Sequence, residues 1–582
     1  MLKEVAKTDK YRWVIQEVNI ENLFDLIDKW RLPLPIGVTL FKRGVLTSND
    51  LYTFFNTPLQ SLKNPFNMKD MEKAVRRVYQ SIIAGERICV YGDYDVDGVT
   101  STALIYLFLK EVGADVVYYI PNRIDEGYGL NRDAIDELKH KNVGLIITVD
   151  CGITALDEIR YAKSIGLDVI ITDHHKPLDE LPEAYCILNP LQEGDTYDFK
   201  SLAGVGVAFK FIMGLRYYLS INNYFKDKIP NLKKYLDIVA LGTIADVVPM
   251  VDENRIFVKH GLHVLSKRDV RVGLQELKRV TGLLNTNIEV SHVGYVLAPR
   301  INAVGRLGES DRGVRLLITK NKNEARWLAE ELDIENRFRH EMEKRILNDT
   351  FTKIEKLKLA EKYAGMVLFS DKWHPGIIGI VASRVAEKYN KPTIVISIEN
   401  GIGKGSARSI SDFHLYDCLK ELSDLFLKFG GHKYAAGLQL YEKDIKTLQK
   451  RFHDIVNKRR VDSSEKPTIM IDSIIEPKDI NMDLMNWIEK MKPFGQGNPE
   501  PVFCMKGVRK YQQFGFTGKD RANVRGFVEK NGYIFEIVGY GMKEYKQLLR
   551  ENDVFDILFT PEINQWFGDR SILLKVKDFK KV

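Results

Sequence analysis

The chain has 582 residues, of which 45% are hydrophobic and 28% are charged, and its formal net charge is +7. This composition excludes a disordered or fibrous protein, and the length predicts several domains rather than one core. No stretch is apolar enough to cross a membrane and the charged N-terminal residues do not resemble a secretion signal, so we expect a cytoplasmic protein. The mild basic excess permits a polyanionic partner without indicating one.

The cysteines are scattered widely along the chain. They include no CxxC pair and their number is odd, so the sequence suggests neither a disulfide framework nor a zinc cluster. Cys151 stands beside Asp150 in a candidate site loop, but a small buried side chain is the ordinary interpretation of such a cysteine. We expect reduced, structural cysteines at positions 89, 151, 186, 418 and 504.

Residues 1–69 contain no chemical motif, and we expect an accessory, mostly helical segment there. Over residues 70–319, short apolar runs rich in β-branched residues alternate with segments of helical spacing. Continuous apolar runs are typical of buried parallel strands. The pattern predicts a doubly wound α/β domain with strands at residues 87–92, 115–121, 144–150 and 168–173.

A connecting helix and two smaller domains are predicted after this domain. Residues 320–360 are highly charged and carry one apolar stripe, which predicts a long helix. Residues 361–464 repeat the α/β pattern and contain two glycine-rich segments that we expect to be loops. Residues 465–582 contain short aromatic-rich runs of β character, which predict a small β-barrel. The strands of the second α/β domain are predicted at 365–370 and 393–398, and the loops at 401–409 and 429–432.

Acidic and imidazole side chains follow three of the four strands predicted in the first domain. Ligands of an open parallel sheet bind beyond the carboxyl ends of the strands, so these side chains should meet in one crevice. A single Asp after a strand more often caps the next helix. This many carboxylates would repel one another, however, unless bound cations offset the repulsion. The residues are Asp93, Asp95, Asp97, Asp150, Asp173, His174 and His175.

These residue types indicate which metal and which reaction to expect. Oxygen ligands with a minority of imidazole suit Mn²⁺ or Mg²⁺, and the imidazole favours Mn²⁺. The number of carboxylates is compatible with two ions, and two ions about 3.5 to 4 Å apart can activate a water and stabilise the leaving oxygen of a phosphodiester. The sequence therefore predicts phosphodiester hydrolysis. A dinucleotide cofactor is the alternative, but Gly92-Asp93-Tyr94-Asp95 lacks the GxGxxG pattern.

Segments from about residue 70 to the C-terminus resemble the DHH phosphoesterase superfamily, whose triplet stands here as Asp173-His174-His175. Within it, the chain is similar to bacterial single-strand-specific 5′→3′ exonucleases. The resemblance implies a DHH catalytic domain over 70–319, a DHHA1 substrate-binding domain over 361–464 and an OB-fold nucleic-acid-binding domain over 465–582. The segments include YGDYDVDGVTSTA, TVDCGIT, TDHHKP, LDIVALGTIADVVPM, APRINAVGRLG, GKGSARS and FGGHKYAAG.

The resemblance also implies a set of metal ligands. Asp150 is expected to bridge the two ions, and His175 is expected to act in catalysis. Some members of the superfamily have a His where this chain has Tyr91, so the ligand set of the first ion stays open and Asp93 is a further candidate. The implied ligands are Asp93, Asp95, Asp97, Asp150, His174 and Asp246.

Two further groups of residues are implied to contact DNA. Ser406 and Arg408 supply a hydroxyl and a fork of donors, and the glycines before His432 permit close approach of the backbone. Together with Arg123 they would hold the 5′-terminal phosphate. The group at the 5′ end is Arg123, Ser406, Arg408, Gly430, Gly431 and His432. The group at the scissile phosphate is Arg300, Asn302 and Arg306, of which the last two are expected to be catalytic.

The C-terminal region interleaves cations with aromatic residues between residues 505 and 545. OB-type barrels bind single strands in this way, because bases stack on aromatic rings while cations track the phosphates. Several rings must fill the core of the barrel, so we expect the cations to act as a group. They are Arg509, Lys510, Lys519, Arg521 and Arg525, and the aromatic residues are Tyr511, Phe514, Phe516, Phe527 and Tyr533.

The function implied by the resemblance is the release of 5′-mononucleotides from single-stranded DNA in DNA repair and recombination. One alternative is a phosphodiesterase of short oligonucleotides or cyclic dinucleotides, and the barrel argues against it because such enzymes generally lack one. The other is an inactive DNA-binding scaffold, and the complete acidic set argues against it. The resemblance also implies a single-strand-binding protein and a RecQ-type helicase as partners, and we expect a monomer.

Overall fold

The structure is a computed structural model that describes residues 10–16, 18, 23–122, 126–127, 129–226, 228–307, 311–410, 413–460, 467–518, 521–566 and 569–582. The chain folds into two compact units. The first unit contains residues 1–64, 247–260 and 466–582, and the second contains residues 65–246 and 261–465. Within the described ranges, no helix combines the length and the apolar character that crossing a bilayer requires.

The N-terminal segment is mostly helical. Its elements are β1 (Arg12–Ile15), α1 (Phe24–Trp30), α2 (Leu34–Lys42) and α3 (Ser48–Asn56). Helix α3 begins with a capping box, in which the Thr47 side chain accepts from the Asp50 N–H and the Asp50 carboxylate accepts from the Thr47 N–H.

A parallel sheet lies in the second unit. Its strands and the helices between them are α4 (Met71–Ala84), β2 (Arg87–Gly92), α5 (Val96–Glu111), β3 (Val116–Tyr119), α6 (Arg132–His140), β4 (Val143–Val149), α7 (Leu156–Ser164), β5 (Asp168–Thr172) and β6 (Cys186–Leu188). The strand order is β3-β2-β4-β5-β6, and each neighbouring pair is parallel. Four strands lie where the apolar runs predict them, whereas β6 has only three residues and carries no such signal.

Helices cover both faces of this sheet, which confirms the doubly wound arrangement. Helices α6 and α7 share a buried cluster with Cys89 and Ile146 of the sheet. Ile88 and Val90 alternate with Cys89 along β2 and are buried as well. Helices α5 and α8 (Gly204–Ile221) pack on the strands and on each other. The carboxyl ends of the strands therefore lie together at one edge, between layers of helices.

The next part of the chain is helical. Its elements are α9 (Leu236–Ala245), α10 (Asp252–Ser266), α11 (Val272–Val280), α12 (Val290–His292), a π-helix (Val293–Leu297), α13 (Ala298–Leu307), α14 (Asp311–Ile318), α15 (Lys322–Lys356) and α16 (Leu359–Lys362). Helix α15 is the long connecting helix that the charged segment predicts. Helix α9 packs closely on α5, and a Cβ at Gly242 would lie 2.2 Å from Thr100 Oγ1, so this packing requires glycine.

A second, mixed sheet follows in the second unit. Its elements are β7 (Met366–Ser370), α17 (Ile378–Tyr389), β8 (Thr393–Glu399), β9 (Ile402–Arg408), α18 (Leu415–Lys420), β10 (Lys428–Gly431), β11 (Ala435–Tyr441) and α19 (Ile445–Arg460). The order is β10-β11-β9-β8-β7, with β7 parallel to β8 and the other pairs antiparallel. The expectation of loops at 401–409 and 429–432 is wrong, because these glycine-rich segments form β9 and β10. Their backbone hydrogen bonds to neighbouring strands compensate for a low intrinsic strand preference.

The C-terminal elements of the first unit include a closed barrel. They are β12 (Thr468–Ile471), β13 (Ser473–Ile474), α20 (Met482–Met491), β14 (Phe503–Lys510), β15 (Gly515–Thr517), β16 (Asn523–Lys530), β17 (Tyr533–Gly539), α21 (Lys546–Glu551), β18 (Val554–Trp566) and β19 (Asp569–Lys581). Strand β14 pairs with both β16 and β18, so the ring β14-β16-β17-β19-β18 closes. The pair β17–β19 is parallel and the other pairs of the ring are antiparallel. This closed ring of five strands confirms the predicted OB-type barrel.

The barrel sorts the aromatic residues of the C-terminal region into two groups. Phe514 is buried in the core, which also contains Leu32, Ile36 and Leu40 of the N-terminal segment. Tyr511, Phe527 and Tyr533 are exposed. Two of the cations are paired within the barrel. Lys510 is bound by Asp553 and two backbone carbonyls, Arg525 pairs with Glu536, and Lys519 lies outside the described residues.

We predict that Gly242→Ala destabilises the second unit by about 1 to 3 kcal/mol. The added Cβ would overlap Thr100 Oγ1 and lie 2.8 Å from Val205 Cγ1, which forces α9 away from α5. Hydrogen exchange of the α5 amides measures the loss. The control is Gly294→Ala, where the nearest side-chain atom, Ile244 Cγ2, is 3.9 Å from the new Cβ. Equal exchange in both variants would contradict the packing argument.

Candidate metal centre

The carboxyl ends of β2, β4 and β5 bring the predicted acidic residues together. Asp93, Asp95 and Asp97 follow β2, and Asp150 follows β4. His174 and His175 follow β5, and Asp246 is added from the C-terminal end of α9. His174 Nε2 lies 3.1 Å from Asp150 Oδ1, 3.7 Å from Asp246 Oδ2 and 3.8 Å from Asp97 Oδ2. The parallel topology thus collects side chains that are far apart in sequence.

The candidate ligand atoms fall into overlapping sets, in each of which one atom per residue lies within 4.8 Å of the others. One set is Asp93, Asp95 and Asp150, and a second is Asp97, His174 and Asp246. A third set joins Asp150 to both histidines. Asp150 and His174 therefore belong to more than one set, as a residue between two neighbouring ions would.

Burial and like charges make the ionised state of these aspartates unfavourable. Burial raises the pKa of Asp97 and Asp150, and neighbouring carboxylates raise both further. Burial also raises the pKa of Asp246, although the two histidines act in the opposite direction. A divalent cation would remove both effects, because it supplies charge where water cannot.

Two atoms of the cluster have the properties expected of cation ligands. His174 Nε2 and Asp246 Oδ2 are buried, and neither makes a hydrogen bond within the part of the chain that the structure describes. Buried polar atoms are nearly always satisfied, so such atoms require an explanation. Their donor types, an imidazole nitrogen and a carboxylate oxygen among further carboxylates, are those of Mn²⁺ or Mg²⁺ sites.

Two of the aspartates also hold the backbone in place. Asp95 Oδ1 accepts from the N–H groups of Asp97 at 2.9 Å and Gly98 at 3.1 Å, so this residue caps α5. The Asp97 carboxylate accepts from the N–H groups of Gly204 at 2.6 Å and Val205 at 2.9 Å, at the start of α8. The positive end of α8 therefore stabilises the charge of Asp97. Capping and metal binding are compatible here, because each carboxylate has more than one lone pair.

Two glycines allow the carboxylates to approach the helices this closely. A Cβ at Gly204 would lie 2.8 Å from Asp150 Oδ1, and one at Gly242 would lie 3.0 Å from Asp97 Oδ1. Asp150 itself has a φ of 58°, in the left-handed region that few residues other than glycine, Asn and Asp adopt. The sequence signal for these constraints is the pair of glycines at 204 and 242, for which the sequence patterns predicted no role.

Asp173 belongs to the acidic cluster that the sequence predicts, but its contacts differ from those of the other aspartates. Its Oδ1 accepts from the N–H groups of His174 and His175 and from His175 Nδ1 at 2.8 Å, and its Oδ2 accepts from the Ile153 N–H. Burial acts to raise the pKa of Asp173, but the hydrogen bond and charge of His175 lower it. Burial acts to lower the pKa of His175, and Asp173 and nearby carboxylates raise it to about 9. Asp173 therefore orients the second histidine through Nδ1 and favours its protonated form.

The residues expected at the scissile phosphate differ in the contacts that they make. Asn302 Oδ1 accepts from the Val96 N–H at 3.0 Å, which ties α13 to the acidic loop. Arg300 donates to Asp333 Oδ1 at 2.9 Å and to the Val296 carbonyl at 2.6 Å, so a structural ion pair holds it. Arg306 belongs to α13, but its side chain lies outside the described residues, as does the whole of Arg123.

The residues expected to hold the 5′ phosphate lie on the second sheet. Its register aligns Ser406, Gly437 and Gly430 in one row across β9, β11 and β10. Among the residues that the structure describes, no atom lies within 4 Å of a Cβ placed at either glycine, so the surface beside Ser406 is open. Gly431 is next in β10, and His432 follows the strand and is exposed.

Arg408 and the start of α17 lie next to this row. Arg408 Nη1 donates to Ser406 Oγ at 3.1 Å. A Cβ at Gly379 would lie 3.1 Å from Ser406 Oγ and 3.2 Å from Arg408 Nη2, so both groups face the first turn of α17. A hydroxyl, a guanidinium and a helix N-terminus are the elements of an anion site.

The cysteine beside the metal centre has no chemical role in this arrangement. All five cysteines are buried and free. Cys151 Sγ donates to the Tyr91 carbonyl at 3.9 Å, and burial raises its pKa, so it stays a neutral thiol that fills space under the loop.

Three family models match the chain. They are the DHH family N-terminal domain over residues 87–243, the DHHA1 domain over residues 361–458 and the RecJ OB domain over residues 471–578. The single-stranded-DNA-specific exonuclease RecJ of Bacillus subtilis (strain 168) is 36% identical, over 98% of this chain and 71% of that protein. The RecJ of Escherichia coli (strain K12) is also 36% identical, over 87% of this chain and 89% of that protein.

The fold is similar to that of solved structures as well. The crystal structure of RecJ in complex with Mn²⁺ from Thermus thermophilus superposes with a TM-score of 0.83 at 27% identity, over 99% of this chain and 80% of that chain. A RecJ bound to manganese superposes with a TM-score of 0.59 at 34% identity, over 70% of this chain and 99% of that chain. From this extended identity and the shared fold, the chain belongs to the RecJ family of single-stranded-DNA-specific exonucleases.

Proposed function

We propose that the chain is a metal-dependent exonuclease that hydrolyses single-stranded DNA from the 5′ end and releases 5′-mononucleotides. The observation that carries this proposal is the partly buried cluster of carboxylates and imidazoles at the carboxyl ends of three parallel strands. The relatives named above are single-stranded-DNA-specific exonucleases, and solved RecJ structures contain Mn²⁺ or Mg²⁺. The same two metals suit the ligand set of this chain.

We assign two of the ligand sets to two ions. Asp93, Asp95 and Asp150 would hold one ion, and Asp97, His174 and Asp246 would hold the other. The third set, which contains both Asp150 and His174, links the two. When bound, two such ions supply an activated water and charge stabilisation for the leaving oxygen of a phosphodiester.

Protein groups around the ions would position the substrate and move protons. Asn302 uses its carbonyl oxygen on the Val96 N–H, so its amide N–H group would contact the scissile phosphate. His175 is held by Asp173 through Nδ1 and its side chain is 36% exposed, so its Nε2–H can reach the substrate. We assign it the donation of a hydrogen bond or a proton to the phosphate or the leaving oxygen.

The anion site on the second sheet would select the cleavage position. Ser406, Arg408, Gly430, Gly431 and His432, together with Arg123, would bind the terminal 5′ phosphate. A terminal phosphate fixed in this way would place the next phosphodiester at the ions, which yields a mononucleotide product. The physical requirement is a fixed distance between the anchor and the ions, and both belong to the same unit of the chain.

The biological setting rests on the family alone. We propose that the exonuclease acts as a monomer in the cytoplasm, in DNA repair and recombination. A helicase of the RecQ type would supply single strands, and a single-strand-binding protein would present them. The cations and exposed rings of the barrel would bind the remainder of the strand.

We predict that Asp246→Asn and His174→Ala each lower the rate of mononucleotide release about a thousandfold or more. Asp246 is a sharp test because its Oδ2 makes no hydrogen bond to any described residue, so its loss removes a ligand without breaking the fold. The assay is digestion of a long 3′-labelled single strand with Mn²⁺. The control is Asp157→Asn, whose side chain is 71% exposed on α7. Full activity of Asp246→Asn would refute the ligand assignment.

We also predict that Arg408→Ala lowers the rate on a 5′-phosphorylated strand about tenfold to a hundredfold, because a charge-assisted contact to the phosphate is lost. The same variant should digest a 5′-hydroxyl strand at the wild-type rate. Initial rates on the two substrates measure the difference. Arg384→Ala is the matched control, since this arginine of α17 is 60% exposed. An equal loss on both strands would show that Arg408 supports the fold rather than the 5′ phosphate.

A further inference from the structure

Tyr295 is exposed to an unusual degree for an aromatic side chain. Its exposed fraction is 84%, the largest among the large hydrophobic side chains of the described residues. A single exposed aromatic residue is common on protein surfaces and needs no explanation by itself. The position of Tyr295 in the helix that leads to Asn302 indicates a function for this ring.

Tyr295 lies in the π-helix Val293–Leu297, directly before α13. Helical turns of this kind are rare and are frequent at functional sites. Val293, Leu297 and Ile301 are buried and form the inner face of this continuous helical segment. Tyr295, Pro299 and Asn302 are spaced by four and three residues, so they share the opposite, outer face.

One residue of this outer face, Asn302, contacts the acidic loop of the metal centre. Asn302 accepts from the Val96 N–H, between Asp95 and Asp97. The π-helix also packs against α9, whose last residues lead to Asp246, and a Cβ at Gly294 would lie 3.9 Å from Ile244 Cγ2. Seven residues separate Tyr295 from Asn302, or about 10 Å along the helix axis. Tyr295 therefore lies about two helical turns before Asn302 and is not one of the proposed ligands.

We propose that Tyr295 stacks on a base of the single strand next to the scissile phosphodiester. The inference rests on the proposed function, and it adds a base-binding position to a site otherwise made of charged and polar groups. Stacking requires an exposed ring beside the path of the phosphates, and it tolerates any sequence because every base has a π-face. The hydroxyl is not required, so phenylalanine should replace tyrosine without loss.

The test compares Tyr295→Ala and Tyr295→Phe with the wild-type chain on a 5′-phosphorylated single strand. Fluorescence anisotropy without divalent metal gives the Kd, and digestion with Mn²⁺ gives kcat and KM. Loss of one stacking contact should raise Kd and KM of Tyr295→Ala roughly tenfold and leave kcat within about twofold. Tyr295→Phe should behave as the wild type. Tyr217→Ala, which removes a 55% exposed ring from α8, is the control.

A series of strands with one abasic site at successive positions identifies the stacked base. An abasic site at one position should raise the Kd of the wild type about tenfold. The same abasic site should not raise the Kd of Tyr295→Ala any further. Equal Kd and KM for the wild type and Tyr295→Ala would overturn the stacking inference. A wild type that binds the strand but releases no mononucleotide would overturn the proposed function instead, and the Kd values would then decide on stacking separately.

Discussion

Asp97 and Asp150 are buried, and Asp246 is half-buried beside them, at the carboxyl ends of a parallel sheet, and much of the molecule can be understood from that constraint. Carboxylates out of water and near other carboxylates are unfavourable in their charged form. Burial accordingly raises the pKa of all three. Bound cations would stabilise the ionised carboxylates, because they replace lost hydration and also cancel the repulsion between like charges. The cluster is therefore costly to fold when empty and suited to binding divalent ions.

The polypeptide reduces this cost in part through its own backbone. The start of α8 directs two N–H groups at Asp97, and glycine at 204 and 242 lets the helices come close enough to do so. Asp173 shows the opposite balance, since it accepts several hydrogen bonds and its pKa is lowered. Two aspartates beside each other in the fold thus have different roles. The pKa of Asp97 stays raised, and we propose this residue as a metal ligand, whereas the pKa of Asp173 is lowered and this residue orients His175.

Sequence patterns predicted the parts of the fold that depend on local physics. Continuous β-branched runs gave four strands of the parallel sheet, and the charged segment with an apolar stripe gave α15. Strand β6, with three residues, is too short to leave a pattern. The glycine-rich segments were expected to be loops, because intrinsic preference disfavours strands there, and pairing with neighbouring strands overrides that preference. Closure of the barrel depends on the pairing of β14 with β16 and β18, which no local pattern contains.

For the candidate site as well, local sequence patterns predicted some residues, and contacts between distant segments determine the others. Position after a strand was sufficient to bring Asp93, Asp95, Asp97, Asp150 and the two histidines together, because parallel strands share one edge. Asp246 required the family resemblance, since nothing local distinguishes it from an ordinary residue at the end of a helix. The pairing of Arg300 with Asp333 and the role of Asp173 depend on contacts between distant segments. Such contacts follow from the fold, so residue types alone could not reveal them.

Counting the bound ions tests most directly whether two divalent ions offset the repulsion among the carboxylates of the cluster. Titration with Mn²⁺, followed by the electron paramagnetic resonance signal of free Mn²⁺, gives stoichiometry and affinity at about pH 6.5 and about pH 8, on either side of neutrality. Because folding raises the pKa of these aspartates, protons compete with the metal and the affinity should rise with pH. We expect two ions per chain, bound more tightly at the higher pH, with both weakened in Asp150→Asn. Binding that is absent, or that is unaffected by pH and by Asp150→Asn, would contradict the claim.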